Sequence, residues 1–188
     1  QPARLAASMP LSSKLRWAAL CAVLLVTACY SNHFENHFQF DDSHTIVDNP
    51  YIRSLHNIPK FFTDAGTFST IPANRTWRPL VSTSLAIDYW LGGGLKPLWF
   101  HISTFFWFLV QLAILFLLFR AILRRAGDEW WTEYGALFAA AWFGVHPAMA
   151  ETVNYIIQRG DLYATLGVTA SLAAFAMFPR ARKTRLYL

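Results

Sequence analysis

The chain has 188 residues, of which 55% are hydrophobic and 14% charged, and its mean hydropathy is +0.30. Because a soluble domain usually carries about 25% charged residues, this composition argues against an ordinary cytosolic enzyme. The net charge is +5, but the basic residues are clustered between long uncharged runs. That pattern favours a membrane protein and gives no indication of nucleic-acid binding.

Four apolar segments follow one another along the chain. Since the bilayer core is about 30 Å thick and needs about 20 apolar residues in a helix, each segment is a candidate transmembrane helix. The predicted helices are 15–31, 97–123, 133–149 and 161–179. The last two are rich in Ala and Gly, which favours close helix packing in lipid. The sequence therefore predicts an all-α integral membrane protein with four spans and a long outside loop at residues 32–96.

Basic residues around these segments predict the orientation, because Lys and Arg accumulate on the cytoplasmic side of membrane proteins. Three basic clusters fall on one side if the helices alternate in direction: Arg4, Lys14 and Arg16; Arg120, Arg124 and Arg125; Arg180, Arg182, Lys183 and Arg185. We therefore expect cytoplasmic tails at residues 1–14 and 180–188. The loop would face the periplasm of a bacterial inner membrane, or the lumen of the endoplasmic reticulum in a eukaryote.

The first apolar segment has a second interpretation. Val26-Thr27-Ala28-Cys29 resembles a bacterial lipoprotein cleavage box, and a signal peptide would be removed from the mature protein. Three further apolar segments follow, so we favour a retained transmembrane helix.

The outside loop has the aromatic and β-branched residues that disordered segments lack. Two sets of residues in it recur at helical spacing: Ile52, Leu55, Ile58 and Phe62, and then Leu80, Ser84, Ile87 and Leu91. Each set predicts a short amphipathic helix along the membrane surface. Asn49-Pro50 would start the first helix, and Gly92-Gly93-Gly94 would end the second. The alternative is a folded cap that only packs on the helices.

Two adjacent acids, Asp41 and Asp42, lie near the start of this loop. Adjacent carboxylates repel each other, which raises the pKa of at least one and makes it a better proton acceptor near neutral pH. Their side chains diverge, so we expect one to face a cavity and the other to pair with a base or cap a turn. Taken alone, an Asp-Asp pair is more typical of a solvated turn.

A second polar cluster lies on the same predicted side, between the third and fourth segments. Glu151, Tyr155 and Arg159 are spaced by four residues and share one face if this stretch is helical. His146 ends the third segment and Asp161 begins the fourth. Ionisable groups near an apolar boundary are usually paired or functional. A Glu151–Arg159 ion pair that only ties two helices together is the alternative.

Five short motifs together indicate a particular protein family, although each motif alone is weak evidence for it. They are Tyr30–Asp42, Ile46–Pro50, Trp77–Leu80, His146–Glu151 and Arg159–Asp161. In this order and spacing they resemble the N-terminal part of the TMTC-like family, the transmembrane and tetratricopeptide-repeat-containing protein O-mannosyltransferases of the GT-C superfamily. The resemblance covers about residues 15–178.

The resemblance implies a partial GT-C fold and transfer of a sugar, mannose, from a polyprenyl-phosphate donor to a Ser or Thr hydroxyl of a protein acceptor. Asp41 would be the proton acceptor, and Asp42 would orient either Asp41 or the acceptor. Arg159 and Arg78 would bind the departing lipid phosphate, since guanidinium groups bind phosphate through two hydrogen bonds. The supporting residues would be His146, Glu151, Tyr155 and Asp161.

The resemblance implies no cofactor. Asp41, Asp42 and His44 have the ligand chemistry for a divalent cation such as Mg²⁺, but we favour a reaction without metal. Relatives have many more spans and C-terminal repeats, so we expect a truncated fragment or a short relative that kept the front module, inactive on its own. A non-catalytic membrane subunit or scaffold is the alternative. A channel is disfavoured, because charged residues avoid the predicted helix centres.

Overall fold

The computed structural model describes residues 12–127 and 129–177, and no β-strand occurs within them. The predicted all-α class is confirmed for this part of the chain. The α-helices are α1 (Ser13–Cys29), α2 (Ile58–Phe61), α3 (Pro79–Gly92), α4 (Pro97–Ala126), α5 (Thr132–Val145), α6 (Ala150–Asn154) and α7 (Arg159–Met177).

Short helical turns connect the helices. One is a turn of π-helix, Ser43–Val47. The 3₁₀ turns are Ser31–Glu35, Tyr51–Arg53, Leu55–Asn57, Ala65–Thr67, Pro72–Asn74, Pro147–Met149 and Ile156–Gln158.

The longer helices α1, α4, α5 and α7 form a bundle in which α4 contacts both α5 and α7. The buried face of α5 consists of small residues four positions apart: Thr132, Ala136, Ala140 and Gly144. A Cβ atom on Gly144 would lie 2.8 Å from Leu112 Cδ1 and 3.1 Å from Val26 Cγ2. Only glycine at this position allows α5 to approach α4 and α1 so closely, in line with the predicted packing through small residues.

One helix of the described chain, α4, has the length and apolarity to cross a membrane, with 30 residues and a mean hydropathy of 2.3. The helices at the other three predicted spans begin and end near the expected residues and are shorter than α4, with 17 residues in α1, 14 in α5 and 19 in α7. At a rise of 1.5 Å per residue, α5 is about 21 Å long, less than the about 30 Å of a bilayer core. Four membrane spans are therefore not confirmed.

Three arginines used for the predicted orientation, Arg120, Arg124 and Arg125, lie in the second half of α4, near the α4–α5 turn. Arg120 Nε lies 2.6 Å from Glu133 Oε2, and Arg124 also pairs with Glu133. Of the other basic residues used for the orientation, Lys14 and Arg16 lie in the first turn of α1. Arg4, Arg180, Arg182, Lys183 and Arg185 lie outside the described residues. The predicted tails 1–14 and 180–188 lie wholly or largely outside them.

The predicted loop forms a folded cap at the other end of the bundle. Its core also takes in the start of α4 and the turn before α7. The buried core residues are Ile46, Ile52, Phe61, Phe68, Val81, Leu85, Ala86, Phe100, Ile156 and Ile157. This shared core holds the start of the cap against the residues that precede α7.

The first predicted amphipathic helix is wrong. In place of one helix through Ile52, Leu55, Ile58 and Phe62, the chain forms two short turns and α2. Ser54 interrupts the helical pattern because its backbone is extended, with φ −143° and ψ 130°. Its side chain also accepts a hydrogen bond from His56 N, which starts the next turn.

The second predicted helix forms as α3, but it is not amphipathic in the way the sequence predicted. Gly93, with φ 61°, ends it in the left-handed conformation that glycine adopts without strain. Its predicted stripe faces outward, with 63% of Leu80 and 50% of Leu91 exposed. The inward face instead carries Val81 and Leu85, because both faces of this helix are apolar.

Candidate active site

Asp41 lines a cleft of about 320 Å³ between the cap and the turn that precedes α7. Arg78 and Tyr155 line the same cleft, so three parts of the chain meet there. The Asp41 side chain is 62% exposed, and its backbone N–H donates a hydrogen bond of 2.8 Å to the Tyr155 hydroxyl. Burial raises the pKa of Tyr155 to about 12, so this hydroxyl keeps its proton at neutral pH.

His44 lies beside Asp41 at the edge of the cleft. The π-helical turn brings His44 Nε2 to 3.3 Å from Asp41 Oδ1. Asn74 Nδ2 lies 3.0 Å from the same Nε2, and Ser69 Oγ lies 3.0 Å from Nδ1. Ser69 and Asn74 therefore fix the imidazole ring, and the exposed carboxylate of Asp41 lies against its Nε2 edge.

Asp42 has very different surroundings from Asp41, as expected for diverging side chains. It is buried, and its carboxylate accepts hydrogen bonds from Gln39 N at 3.1 Å and Ile157 N at 3.2 Å. Burial raises its pKa to about 6, and the neighbouring charge of Asp41 has the smallest effect among the causes. Asp42 therefore joins the acidic loop to the turn before α7 and does not open onto the cleft.

Arg159 is buried and does not face the cleft, contrary to the prediction that it binds phosphate. It is 0% exposed, and its Nη1 lies 2.5 Å from Asp88 Oδ2. Its other donors are used by Ser84 Oγ, Phe100 O, Thr104 Oγ1 and Ile156 O. Because every nitrogen of the guanidinium is bonded inside the protein, Arg159 ties α3, α4 and α7 together.

The predicted common face of Glu151, Tyr155 and Arg159 is wrong. Helix α6 ends at Asn154, and Tyr155 is extended, with φ −100° and ψ 110°. The interruption turns Arg159 into the core and leaves Glu151 near Gln158, whose Nε2 lies 3.5 Å from Glu151 Oε1. The predicted Glu151–Arg159 pair therefore does not form.

Arg78 is the guanidinium that faces the cleft. Its Cζ lies 5.4 Å from the centre of the Phe68 ring, a cation–π contact. A Cβ atom on Gly160 would lie 3.2 Å from Arg78 Nη1, so the arginine passes close to the start of α7. Arg78 is thus held at the cleft by neighbours from two parts of the chain.

Arg78 also lines a second depression, a largely apolar groove of about 580 Å³. Trp77, Leu80 and Tyr163 form its walls, and Asp161 lies at its edge. Arg78 therefore stands where a polar cleft meets an apolar groove.

His146 lies apart from Asp41. Its Nδ1 accepts a hydrogen bond from Ala148 N and so caps the turn Pro147–Met149. It does not line the cleft that contains Asp41. Within residues 12–127 and 129–177, no three His, Cys, Asp or Glu side chains are grouped as metal ligands would be.

The sequence interpretation missed Asp88, the partner of Arg159. The sequence did contain an indication of this pairing: Asp88 lies on the same side of α3 as the buried residues Val81 and Leu85. A buried charge needs a partner of opposite charge. The sequence interpretation also missed Phe40, which lies in the Tyr30–Asp42 motif. No sequence pattern separates Phe40 from the other aromatic residues of this motif.

The fold and the site together define a class of protein: an all-helical bundle with one membrane-length helix and a polar cleft beneath a folded cap. Comparison with known proteins narrows this class. Protein O-mannosyl-transferase TMTC2 of Homo sapiens is 32% identical over 165 residues, 84% of this chain and 18% of the relative. Protein O-mannosyl-transferase Tmtc1 of Drosophila melanogaster is 31% identical over 141 residues, 73% of this chain and 16% of the relative.

A third relative, protein O-mannosyl-transferase TMTC4 of Homo sapiens, is 26% identical over 162 residues, 80% of this chain and 22% of the relative. The chain belongs to the TMTC-like protein O-mannosyltransferase family. It spans about a fifth of the length of these curated relatives. No protein-family model and no solved structure matches it.

Proposed function

We propose that this chain forms part of a membrane glycosyltransferase that transfers mannose from a polyprenyl-phosphate donor to a Ser or Thr hydroxyl of a protein. The observation that supports the proposal most strongly is that Asp41 and Arg78 line one cleft. The names of the relatives, protein O-mannosyl-transferases, supply the reaction class. The cap would face the periplasm or the lumen of the endoplasmic reticulum.

In this reaction the acceptor oxygen attacks the anomeric carbon of the sugar. Asp41 takes the hydroxyl proton as the new carbon–oxygen bond forms, and the bond from the anomeric carbon to the phosphate oxygen breaks. The electron pair of that bond stays on the lipid phosphate, whose negative charge Arg78 stabilises. Proton transfer to a positioned carboxylate typically contributes about 10²–10⁴-fold to the rate, so stabilisation of the leaving phosphate supplies much of the remainder.

A lipid-linked donor fits the position of Arg78. The phosphate would bind the guanidinium, the sugar would enter the polar cleft, and the prenyl chain would follow the apolar groove along Trp77 and Leu80. This division of polar and apolar surface on either side of one cation is what a charged headgroup with a hydrocarbon tail requires.

Asp42 and Arg159 are positioning residues in this proposal. Asp42 binds the backbone of Ile157 and so sets the distance between the acidic loop and the wall that contains Tyr155. Arg159 binds Asp88 and Thr104, which fixes α3, and with it Arg78 at the start of α3, relative to α7.

The test is mannosyl transfer by the full-length protein in proteoliposomes. Asp41→Asn is expected to lower kcat by about 100-fold or more, because the proton acceptor is lost. The matched control is Asp48→Asn, at an exposed acid of the same cap, which should retain activity.

Arg78→Gln is expected to raise KM for the lipid donor by about tenfold or more, with Arg53→Gln as its control. Wild-type turnover in Asp41→Asn would contradict the proton-acceptor role. If wild-type protein transfers no sugar under any condition, the alternative of a non-catalytic membrane subunit or scaffold replaces the proposal.

A further inference from the structure

A second cleft, of about 420 Å³, lies on the other side of Asp41. It is lined by Gln39, Phe40, Asp41, Glu151, Asn154 and Tyr155. Asp41 and Tyr155 line both clefts, so they form a shared wall between them. A transferase that uses Asp41 needs two substrates to reach this residue, and the two clefts approach it from different sides.

The two clefts differ in charge. Arg78 contributes a positive charge to the first, whereas the described lining of the second contains the carboxylates of Asp41 and Glu151 and no basic side chain. An anionic lipid phosphate is attracted to the first cleft and repelled by the second. The second cleft therefore suits a neutral or cationic ligand.

Phe40 gives the second cleft an exposed aromatic wall. Its side chain is 81% exposed, although phenylalanine is usually buried. It has a positive φ of 46°, a backbone conformation that is strained for a bulky residue. Its ring stands edge-on to Tyr155, with the ring centres 5.8 Å apart. Packing inside this chain does not explain a strained and exposed ring, whereas contact with a ligand does.

Asn154 adds a fixed amide to the same cleft. His33 Nδ1 lies 3.0 Å from Asn154 Oδ1, and Asn36 Nδ2 donates to the same oxygen at 3.2 Å. Gln39 supplies a second side-chain amide. Amide groups both donate and accept hydrogen bonds, which is what the backbone of an extended polypeptide needs.

We propose that this second cleft binds the polypeptide acceptor as an extended segment whose Ser or Thr hydroxyl reaches Asp41. The inference rests on the proposed function above. Phe40 packs on a side chain next to the acceptor hydroxyl, and the carboxylate of Glu151 favours segments with Lys or Arg over acidic ones. The donor and the acceptor thus meet across the wall that Asp41 and Tyr155 form.

The test is the binding of a short fluorescent peptide, with Ser and Thr flanked by Lys, to the full-length protein in lipid nanodiscs. Phe40→Asn is expected to weaken peptide binding by about tenfold, because it removes the aromatic contact. Asparagine tolerates the left-handed backbone, so the fold is kept. Phe40→Trp keeps an aromatic ring and should bind within about twofold of wild type.

Charge provides the second arm of the test. Glu151→Gln should weaken binding of the Lys peptide more than binding of a peptide in which Ala replaces Lys. Arg78→Gln should leave the peptide affinity unchanged, since it lies in the other cleft.

Wild-type peptide affinity in Phe40→Asn would overturn the inference. So would equal losses in Phe40→Asn and Arg78→Gln, which would place both ligands in one cleft. If Phe40→Asn reduces attachment to vesicles but not peptide affinity, Phe40 is a membrane contact and the inference fails. Peptide binding that follows the expected pattern without sugar transfer would contradict the proposed function and leave the polypeptide site standing.

Discussion

Asp41 and Asp42 are neighbours in the chain, yet one carboxylate is exposed at a cleft and the other is buried. The difference follows from their partners: Asp41 Oδ1 lies beside His44, and Asp42 accepts backbone hydrogen bonds from Gln39 and Ile157. At the residue scale, the exposed acid is suited to chemistry and the buried acid to holding the cap in place.

The raised pKa of Asp42 makes stability depend on pH. With a pKa of about 6 in the folded state against 3.8 for the ordinary group, the folded chain binds more protons between these values. The free energy of unfolding therefore falls as pH rises from 4 to 7, and the contribution of Asp42 to this fall is about 2 kcal/mol. Asp42→Asn should remove this contribution, as measured by thermal unfolding at both pH values.

The control for this prediction is Asp48→Asn, because Asp48 is an exposed acid of the same cap. Its unfolding profile should follow that of wild type. If Asp42→Asn kept the full pH dependence of wild type, the buried carboxyl would not be its source.

At the scale of helices, a single buried ion pair joins three elements. Arg159, at the start of α7, binds Asp88 of α3 and Thr104 of α4. Both charged side chains are almost fully buried, so removing one leaves the other without its counter-charge in the core.

Asp88→Asn is therefore expected to lower the free energy of unfolding by about 3–5 kcal/mol. The double substitution of Asp88 and Arg159 by Leu should cost less than the sum of the single ones, because no buried charge remains. Thermal melts in detergent measure both. Additive losses would show that the two residues do not act as a pair.

Close packing of α5 gives a second prediction at this scale. Gly144→Val is expected to destabilise the bundle by about 1–3 kcal/mol, because the new side chain meets Leu112 and Val26. Gly167→Ala in α7 is the matched control, since a Cβ atom there meets nothing within 4 Å. It should be neutral or slightly stabilising, as Ala favours helix over Gly. Equal melting temperatures for Gly144→Val and Gly167→Ala would contradict the close approach.

Helices were predictable from the sequence where long apolar runs lie between breakers such as Gly92-Gly93-Gly94. The break in the helix at Tyr155 was not predictable, because no Gly, Pro or other helix breaker lies at that position. The extended backbone there is accompanied by tertiary contacts to Asp41 and Asp42. For the same reason only one of the two arginines predicted to bind phosphate lies at the cleft. Helical spacing placed Arg159 beside Glu151, whereas tertiary packing buries it with Asp88 and leaves Arg78 at the cleft.

At the scale of the whole molecule, the helix bundle carries exposed apolar side chains on every long helix. Examples are Leu24 of α1, Phe106 of α4, Phe138 of α5 and Leu172 of α7. A surface of this kind suits a lipid environment, whereas the cap has polar clefts and a buried core of its own. The proposed arrangement therefore has the cap at the membrane surface and the α4–α5 turn on the opposite side.

This arrangement predicts opposite labelling of the two ends. The test uses a chain in which Cys21 and Cys29 are replaced by Ser, and one new cysteine is added at a time, Asp48→Cys in the cap or Glu129→Cys in the turn. A membrane-impermeant maleimide is added to sealed vesicles. It should label one of these two variants but not both. Labelling of both in vesicles shown to be sealed and uniformly oriented would place the two ends on the same side.

The most direct measurement of the central claim is the affinity of the chain for a short-chain polyprenyl phosphate. Binding is followed by the intrinsic tryptophan fluorescence, to which Trp77 at the groove contributes. Saturable binding is expected in wild type and in Asp41→Asn. Arg78→Gln should bind about tenfold more weakly, whereas the control Arg53→Gln should bind as tightly as wild type. Equal affinity in wild type and Arg78→Gln would contradict the account, because the phosphate would then bind elsewhere.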